Sequence, residues 1–171
     1  MKIIDFRTDI LPLKNELYRL ALRITLNPAE AEDVVQDTMM KVWSRKEQWE
    51  QIESIEAFCM TICRNLALDK TKRADNQTTQ IDESQEPPDR SYASNPEEQT
   101  VQRDRISLIR QLIEQLPEKQ RTCMQLRDIE GKSYKEIAQV MDINEQQVKI
   151  NIFRARQTIR QQFLETESYG L

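Results

Sequence analysis

The chain has 171 residues, 38% of them hydrophobic and 32% charged, enough for one larger domain or two small ones. It holds only two glycines, Gly131 and Gly170, and no histidine. That excludes a glycine-rich dinucleotide turn, an imidazole base, a Ser-His or Cys-His pair and any histidine-bearing metal site.

Charge is unevenly spread within the net −4. Residues 1–74 carry 12 basic and 12 acidic side chains, residues 75–104 carry 2 and 8, and residues 105–171 carry 11 and 9. The acid is concentrated in the middle, so the acidic total does not argue against a nucleic-acid partner. Gly131-Lys132-Ser133 has the form of the end of a phosphate-binding loop, but Leu126 stands where the first glycine is required. Cys59, Cys63 and Cys123 are odd in number and lack the further ligands of a tetrahedral site; they read as small apolar core residues in a reducing compartment. The N-terminus has no apolar stretch of signal-peptide length, and no run reaches membrane length. The expectation is a soluble, cytoplasmic non-enzyme without cofactor or metal.

The first predicted helix covers Leu11 to Leu26, with Leu13, Leu17, Leu20, Ala21 and Ile24 in one stripe. Asn27-Pro28 ends it and starts the second, with Asn27 as N-cap, Pro28 in the first turn and Glu30 at the capping-box position. This second helix runs to about Trp43 or Lys46, with Val34, Val35, Thr38, Met39, Val42 and Trp43 as its apolar face. After a polar stretch containing Trp49, Ser54 caps a third helix that reaches about Arg73 on a stripe of Ile55, Phe58, Ile62 and Leu66. Three such helices with short connections predict a small antiparallel bundle over residues 1–74.

From 75 to 104 the apolar pattern stops, and Gln, Ser, Thr, Asp, Glu and Pro87-Pro88 dominate. Too little apolar surface is available to offset ordering entropy, so a flexible acidic tether is expected. A second domain over 105–171 follows. Ile106, Ile109, Leu112, Ile113 and Leu116 mark one helix, Glu118 to about Asp128 a second, Ser133 to Met141 a third, and Glu145 to about Phe163 a fourth. The fold class is all-α: two small helical domains joined by a linker.

The last two helices have helix-turn-helix form. The turn Asp142-Ile143-Asn144 is short, and Asn144 caps a second helix carrying four basic residues and one acid between Glu145 and Gln162. Such a helix lies in the DNA major groove, where Arg, Gln and Asn read base edges. Its outward face holds Gln146, Gln147, Lys149, Asn151, Arg154 and Arg156. A solvated face of an ordinary bundle is the competing reading. In the second helix, Glu30, Glu32, Asp33 and Asp37 have no basic neighbour between Pro28 and Met40, which fits either helix-dipole complementation or a basic protein partner. The third helix ends in Arg64, Lys70, Lys72 and Arg73 against Asp69, fitting either a second nucleic-acid contact or an internal charge pair. Trp49 is placed either to stack on an unpaired base or to pack on the bundle.

These stretches together resemble bacterial sigma factors. Glu30-Ala31-Glu32-Asp33-Val34-Val35-Gln36-Asp37 with Lys41-Val42-Trp43, and Cys63-Arg64-Asn65-Leu66-Ala67-Leu68-Asp69 with Lys72-Arg73, are similar to the family's N-terminal domain. Leu116-Pro117, Gly131, Ser133-Tyr134-Lys135-Glu136-Ile137-Ala138, Val148-Lys149 and Arg154-Ala155-Arg156 are similar to its C-terminal promoter-reading domain. The two-domain size resembles the extracytoplasmic-function (ECF) type. The resemblance implies that Asp33, Gln36, Asp37 and Met40 face the clamp of the RNA polymerase large subunit, with the flap as a further contact. It implies that Trp49, Arg64, Asn65, Lys72 and Arg73 serve the minus-ten element, with the loop of about Trp49 to Ser54 holding a flipped base. Gln147, Lys149, Ile150, Asn151, Phe153 and Arg154 would face the minus-thirty-five element. Core polymerase, promoter DNA and an anti-sigma factor are the implied partners, with no direct membrane contact. Asp142 stands where family members often have glycine, and Asp tolerates the left-handed conformation. Gln147 and Ile150 replace small hydroxylic residues, and Ile150 has a methyl to offer a thymine. Two other classes fit parts of the pattern: an operator-binding regulator using only the helix-turn-helix, and a protein-interaction module without DNA affinity.

Overall fold

A computed structural model describes residues 3–77 and 98–169. Its α-helices are α1 (Lys14–Thr25), α2 (Pro28–Ser44), α3 (Ile55–Gln77), α4 (Glu98–Glu114), α5 (Glu118–Met124), α6 (Tyr134–Met141) and α7 (Glu145–Tyr169). Among the described residues there is no strand. Short segments of other helix types precede α1, lie between α2 and α3, and follow α5.

Each predicted cap is made by the residue expected. The Glu30 N–H donates to Asn27 Oδ1 at 3.1 Å, the Ala57 N–H to Ser54 Oγ at 3.2 Å, and the Glu136 N–H to Ser133 Oγ at 3.1 Å. A cap of this kind is worth about 1 kcal/mol, and each fixes where a helix starts. Helix α1 ends on Leu26, which takes φ 58°, and its N–H donates to Leu22 O at 2.8 Å. The position is left-handed without a glycine, because Asn27 and Pro28 must begin α2 immediately afterwards.

Helices α1, α2 and α3 pack together as the predicted bundle. Its core is Leu17, Leu20, Ala21 and Ile24 from α1, Val34 and Val42 from α2, and Ala57, Cys59, Met60, Cys63 and Ala67 from α3. The Thr38 hydroxyl is buried there and donates to Val34 O at 2.7 Å, which satisfies it inside its own helix. The second bundle sets α4, α5 and α6 against α7, with Val148, Ile152 and Ala155 of α7 fully or almost fully buried.

Helix bounds and one side chain differ from expectation. Helix α3 continues past Arg73 to Gln77. Helix α4 begins at Glu98 rather than near 105, since Glu, Gln and Arg are strong helix formers and acids suit a helix N-terminus. The remainder of the acidic tether, 78–97, lies outside the described residues. Trp43, expected inward, is half exposed and packs edge-on against Phe6 and Trp49.

The two bundles do not stand apart. Helix α6 packs on α3, and α5 packs on α1. Cys123, Leu126, Ile137, Val140 and Met141 join the N-terminal core in one continuous apolar cluster.

Candidate nucleic-acid interface

The helix-turn-helix is α6, a turn, and α7. Asp142 occupies the turn at φ 55°, and its N–H donates to Ala138 O, closing α6. Asn144 and Gln147 then form a reciprocal box. Asn144 Oδ1 accepts from the Gln147 N–H at 2.8 Å, and Gln147 Oε1 accepts from the Asn144 N–H at 3.1 Å. Val148 and Ile152 anchor α7 inward, which turns Lys149, Ile150, Phe153 and Arg154 to solvent.

Phe153 is 65% exposed and Ile150 is also exposed, so two apolar side chains sit beside two cations on one open face. That composition suits a groove in which phosphates border thymine methyls. The Lys149 ammonium lies 5.2 Å from the centre of the Tyr134 ring, and the Arg127 guanidinium lies 4.2 Å from the same ring. Tyr134 thereby holds cations near the recognition helix. Two predicted readers are partly engaged within the helix. Gln147 completes the cap, and Asn151 Nδ2 donates to Gln147 O at 2.8 Å. Arg156 is exposed, as expected, and forms a forked ion pair with Asp128.

On α2, Asp33, Gln36, Asp37 and Met40 share one exposed face, and Met40 is 69% exposed. Lys70 approaches Asp33 at 3.3 Å, a surface pair worth little in water. The helix dipole does not need Asp37, which lies beyond the first turn of α2. This helix face therefore holds exposed acids around an exposed methionine.

At the end of α3, Asn65, Lys72 and Arg73 are exposed. Two residues grouped with them are not. Trp49 is only 4% exposed, and its indole N–H donates to Val42 O at 3.0 Å. It braces the turn between α2 and α3 and offers no free ring face to a base. Trp43 is the exposed aromatic of that corner, with the Lys46 ammonium 4.8 Å from its ring centre. Sequence spacing ranked Trp43 as core because it continues the apolar face of α2. Arg64 is only 8% exposed and is clamped by Glu118 of α5, with Nε to Oε1 at 3.1 Å and Nη2 to Oε2 at 3.0 Å.

Further ion pairs line the same junction. Arg19 makes a forked pair with Glu130 at 2.5 and 2.9 Å. The hydrogen bond from Arg19 is the main reason that the Glu130 carboxyl sits below its ordinary pKa. Lys132 reaches between Glu56 at 2.6 Å and Glu16 at 3.3 Å. Burial pulls the Lys132 ammonium down, but the bond to Glu56 and the charges of Glu16 and Glu56 outweigh it, leaving the pKa above its usual value. No sequence spacing foretold these pairs, because their partners are far apart in the chain.

The thiols of Cys59, Cys63 and Cys123 are free and buried, and burial is the first cause that pushes each to about 12. Among the described residues, no cluster of acids and cysteines could hold a metal ion, and no helix is long and apolar enough to cross a membrane.

Fold and surface define a two-part helical protein that pairs an exposed acidic face on α2 with a helix-turn-helix. Comparison with known proteins gives the family. Sigma-70 region 2 matches residues 10–77, and Sigma-70, region 4 matches residues 106–159. The chain is 32% identical over 148 residues to the ECF RNA polymerase sigma factor SigE of Mycolicibacterium smegmatis, covering 85% of this chain and 56% of that one. It is 32% identical over 147 residues to the ECF sigma factor SigL of Mycobacterium tuberculosis, covering 84% and 80%. In structure it is similar to the sigma factor RpoE of Bartonella quintana, solved with the anti-sigma factor NepR, at a TM-score of 0.71 and 24% identity over 94% of this chain and 97% of that one. The chain belongs to the ECF group of the sigma-70 family.

Proposed function

We propose that this chain binds core RNA polymerase, directs it to a two-part promoter and helps to open the DNA, catalysing nothing itself. The observation that carries this reading is the coexistence of two unlike faces on matched family domains. Asp33, Gln36, Asp37 and Met40 present acids and an apolar anchor on α2, while Lys149, Ile150, Phe153 and Arg154 present cations and apolar contacts on α7. An operator-binding regulator has use for the second face alone.

The division of labour follows residue by residue. The α2 face docks on the clamp of the polymerase large subunit, and the C-terminal domain meets the flap. Asn65, Lys72, Arg73 and, once released from Glu118, Arg64 contact the minus-ten element. Trp49 serves there by holding the loop before α3 in shape. Lys149, Ile150, Phe153 and Arg154 read the minus-thirty-five element, with Gln147 and Asn151 at its edge. Residues 1–74 and 105–171 act as the two domains and 75–104 as the link between them. Control by an anti-sigma factor is supported by the likeness to RpoE, which was solved with one. The protein works in the cytoplasm, where polymerase and DNA are found.

The test is run-off transcription by purified core polymerase on genomic DNA fragments, with and without the full chain. Specific transcripts that appear only with the chain support the reading. Absence of any transcript, together with no comigration of chain and core enzyme, would defeat it.

A further inference from the structure

A cavity of about 370 Å³ opens between α4, the end of α5 and the later turns of α7. Its walls are Ile109 and Ile113 of α4, Met124 at the end of α5, Ile129 just beyond it, and Ile159 and Phe163 of α7. Ile109 and Ile113 are one helical turn apart, as are Ile159 and Phe163, so two helices each turn a short apolar stripe into the same space. All six side chains keep surface that the protein's own packing does not cover, and Ile129 at the rim is 63% exposed. A cavity of this size falls in the range of small-molecule sites, roughly 300–1,000 Å³.

The polar side chains that reach the cavity are one amide, one acid and three arginines: Gln125, Asp128, Arg23, Arg156 and Arg160. Arg156 and Asp128 satisfy each other in a forked pair, which leaves two cations. Arg23 Nε donates to Gln125 Oε1 at 3.1 Å, a neutral partner that occupies one donor of its fork. Among the described residues, neither Arg23 nor Arg160 has a carboxylate within ion-pair distance.

The surroundings of Arg23 add cations to it. Arg121 is only 8% exposed; its Nη1 donates to Glu114 O at 2.9 Å, and its Nε is buried without a hydrogen-bond partner. Burial pulls the Arg23 guanidinium below its ordinary pKa, Glu114 opposes this, and like-charged Arg110 adds to it. Burial lowers Arg121 as well, with Arg23 as a like charge against Glu118 and Glu114. Glu118 is committed to Arg64, so Glu114 is left facing three arginines. A half-buried guanidinium among like charges is stabilised by an anion, and its planar fork fits a carboxylate.

We infer that this cavity binds an acyl carboxylate, with the chain along Ile109, Ile113, Ile159 and Phe163 and the carboxylate on Arg23 and Arg160. With roughly 30 Å³ for each methylene, about the share of one water molecule in the liquid, the cavity accommodates a chain of roughly ten to twelve carbons. The site includes neither the α2 face nor Lys149, Ile150, Phe153 and Arg154 of the recognition helix. It does not depend on the function proposed above.

The test is isothermal titration of the full chain with octanoate, decanoate and decanol, each below its micelle concentration, at about pH 7.5, well above the carboxylate range. Decanoate should bind at one site per chain, about tenfold tighter than octanoate for two further buried methylenes. Decanol, with the same chain length and no charge, should bind at least tenfold more weakly than decanoate. Arg160→Gln alters an exposed side chain, so the fold is kept; Arg23→Gln is checked for native helix content by circular dichroism. Each should weaken decanoate about tenfold and leave decanol unchanged. Ile129→Glu, also at an exposed position, sets an acid at the rim and should weaken decanoate more than decanol. Equal affinity of the wild type for decanoate and decanol overturns the site, because the arginines then hold no charge. Decanoate binding untouched by Arg160→Gln and Ile129→Glu overturns it too, whether or not Arg23→Gln folds, as does the absence of saturable binding up to about 1 mM.

Discussion

Removing the cap of the recognition helix should cost about 1 kcal/mol, and the expected loss follows from its two bonds. Asn144→Ala deletes the acceptor of the Gln147 N–H at 2.8 Å and leaves Gln147 Oε1 to accept from residue 144 without its return partner. Both residues are exposed, so water replaces part of each bond and the upper end of the capping range is not reached. Asn144→Asp keeps an acceptor at the same place and adds a charge that the helix N-terminus favours by a few tenths of a kcal/mol. Urea denaturation of the full chain should therefore order the proteins as Asp at or above wild type, with Ala below by about 1 kcal/mol. Backbone hydrogen exchange should show faster opening in the first turn of α7 for Ala only. If Ala and Asp are equally destabilised, the side-chain oxygen is not what starts this helix, and the capping argument is wrong.

Asp37→Arg places a cation on the exposed α2 face, where folding does not depend on it, so thermal stability should stay near wild type. Comigration with core polymerase should weaken at least tenfold, and undisturbed comigration would remove Asp37 from that surface. Arg154→Ala should weaken binding to the cognate promoter by about 1–3 kcal/mol. An equal loss for all DNA sequences in a competition titration would make Arg154 a phosphate contact. The thiols of Cys59, Cys63 and Cys123, held near 12 by burial, should resist iodoacetamide at pH 8, where roughly one in 10⁴ is thiolate. Mass spectrometry should find all three alkylated only in urea. The pH profile of stability has two edges with known sign. Glu130 is depressed by the Arg19 hydrogen bond, so its contribution holds above its unfolded pKa and is lost as pH falls through the folded value. Lys132 is raised, so its contribution holds below its unfolded pKa and is lost as pH rises through the folded value. Glu130→Gln should flatten the acid edge in a series of urea titrations.

Local chemistry set most of what could be read in advance. The stripes at three- and four-residue spacing gave the bundle helices, because one face of each must be buried. Asn27, Ser54, Ser133 and Asn144 gave the helix starts, because an orphan backbone N–H finds a side-chain acceptor within three residues. Asp142 in the left-handed turn and the outward face of α7 were legible for the same local reason. Motif order identified the family, and two matched regions in that order agree with it.

Tertiary structure alone decided where long side chains end. Arg64 had the sequence character of a DNA contact, yet its guanidinium is bound by Glu118, 54 residues away. Trp43 left its expected inward place, and of the two alternatives for Trp49 the packed one holds, because its N–H finds Val42 O within reach. Spacing reports only on neighbours within a turn or two of helix. Which charge meets which across the junction depends on how two finished bundles lie together, a relation that no local pattern carries.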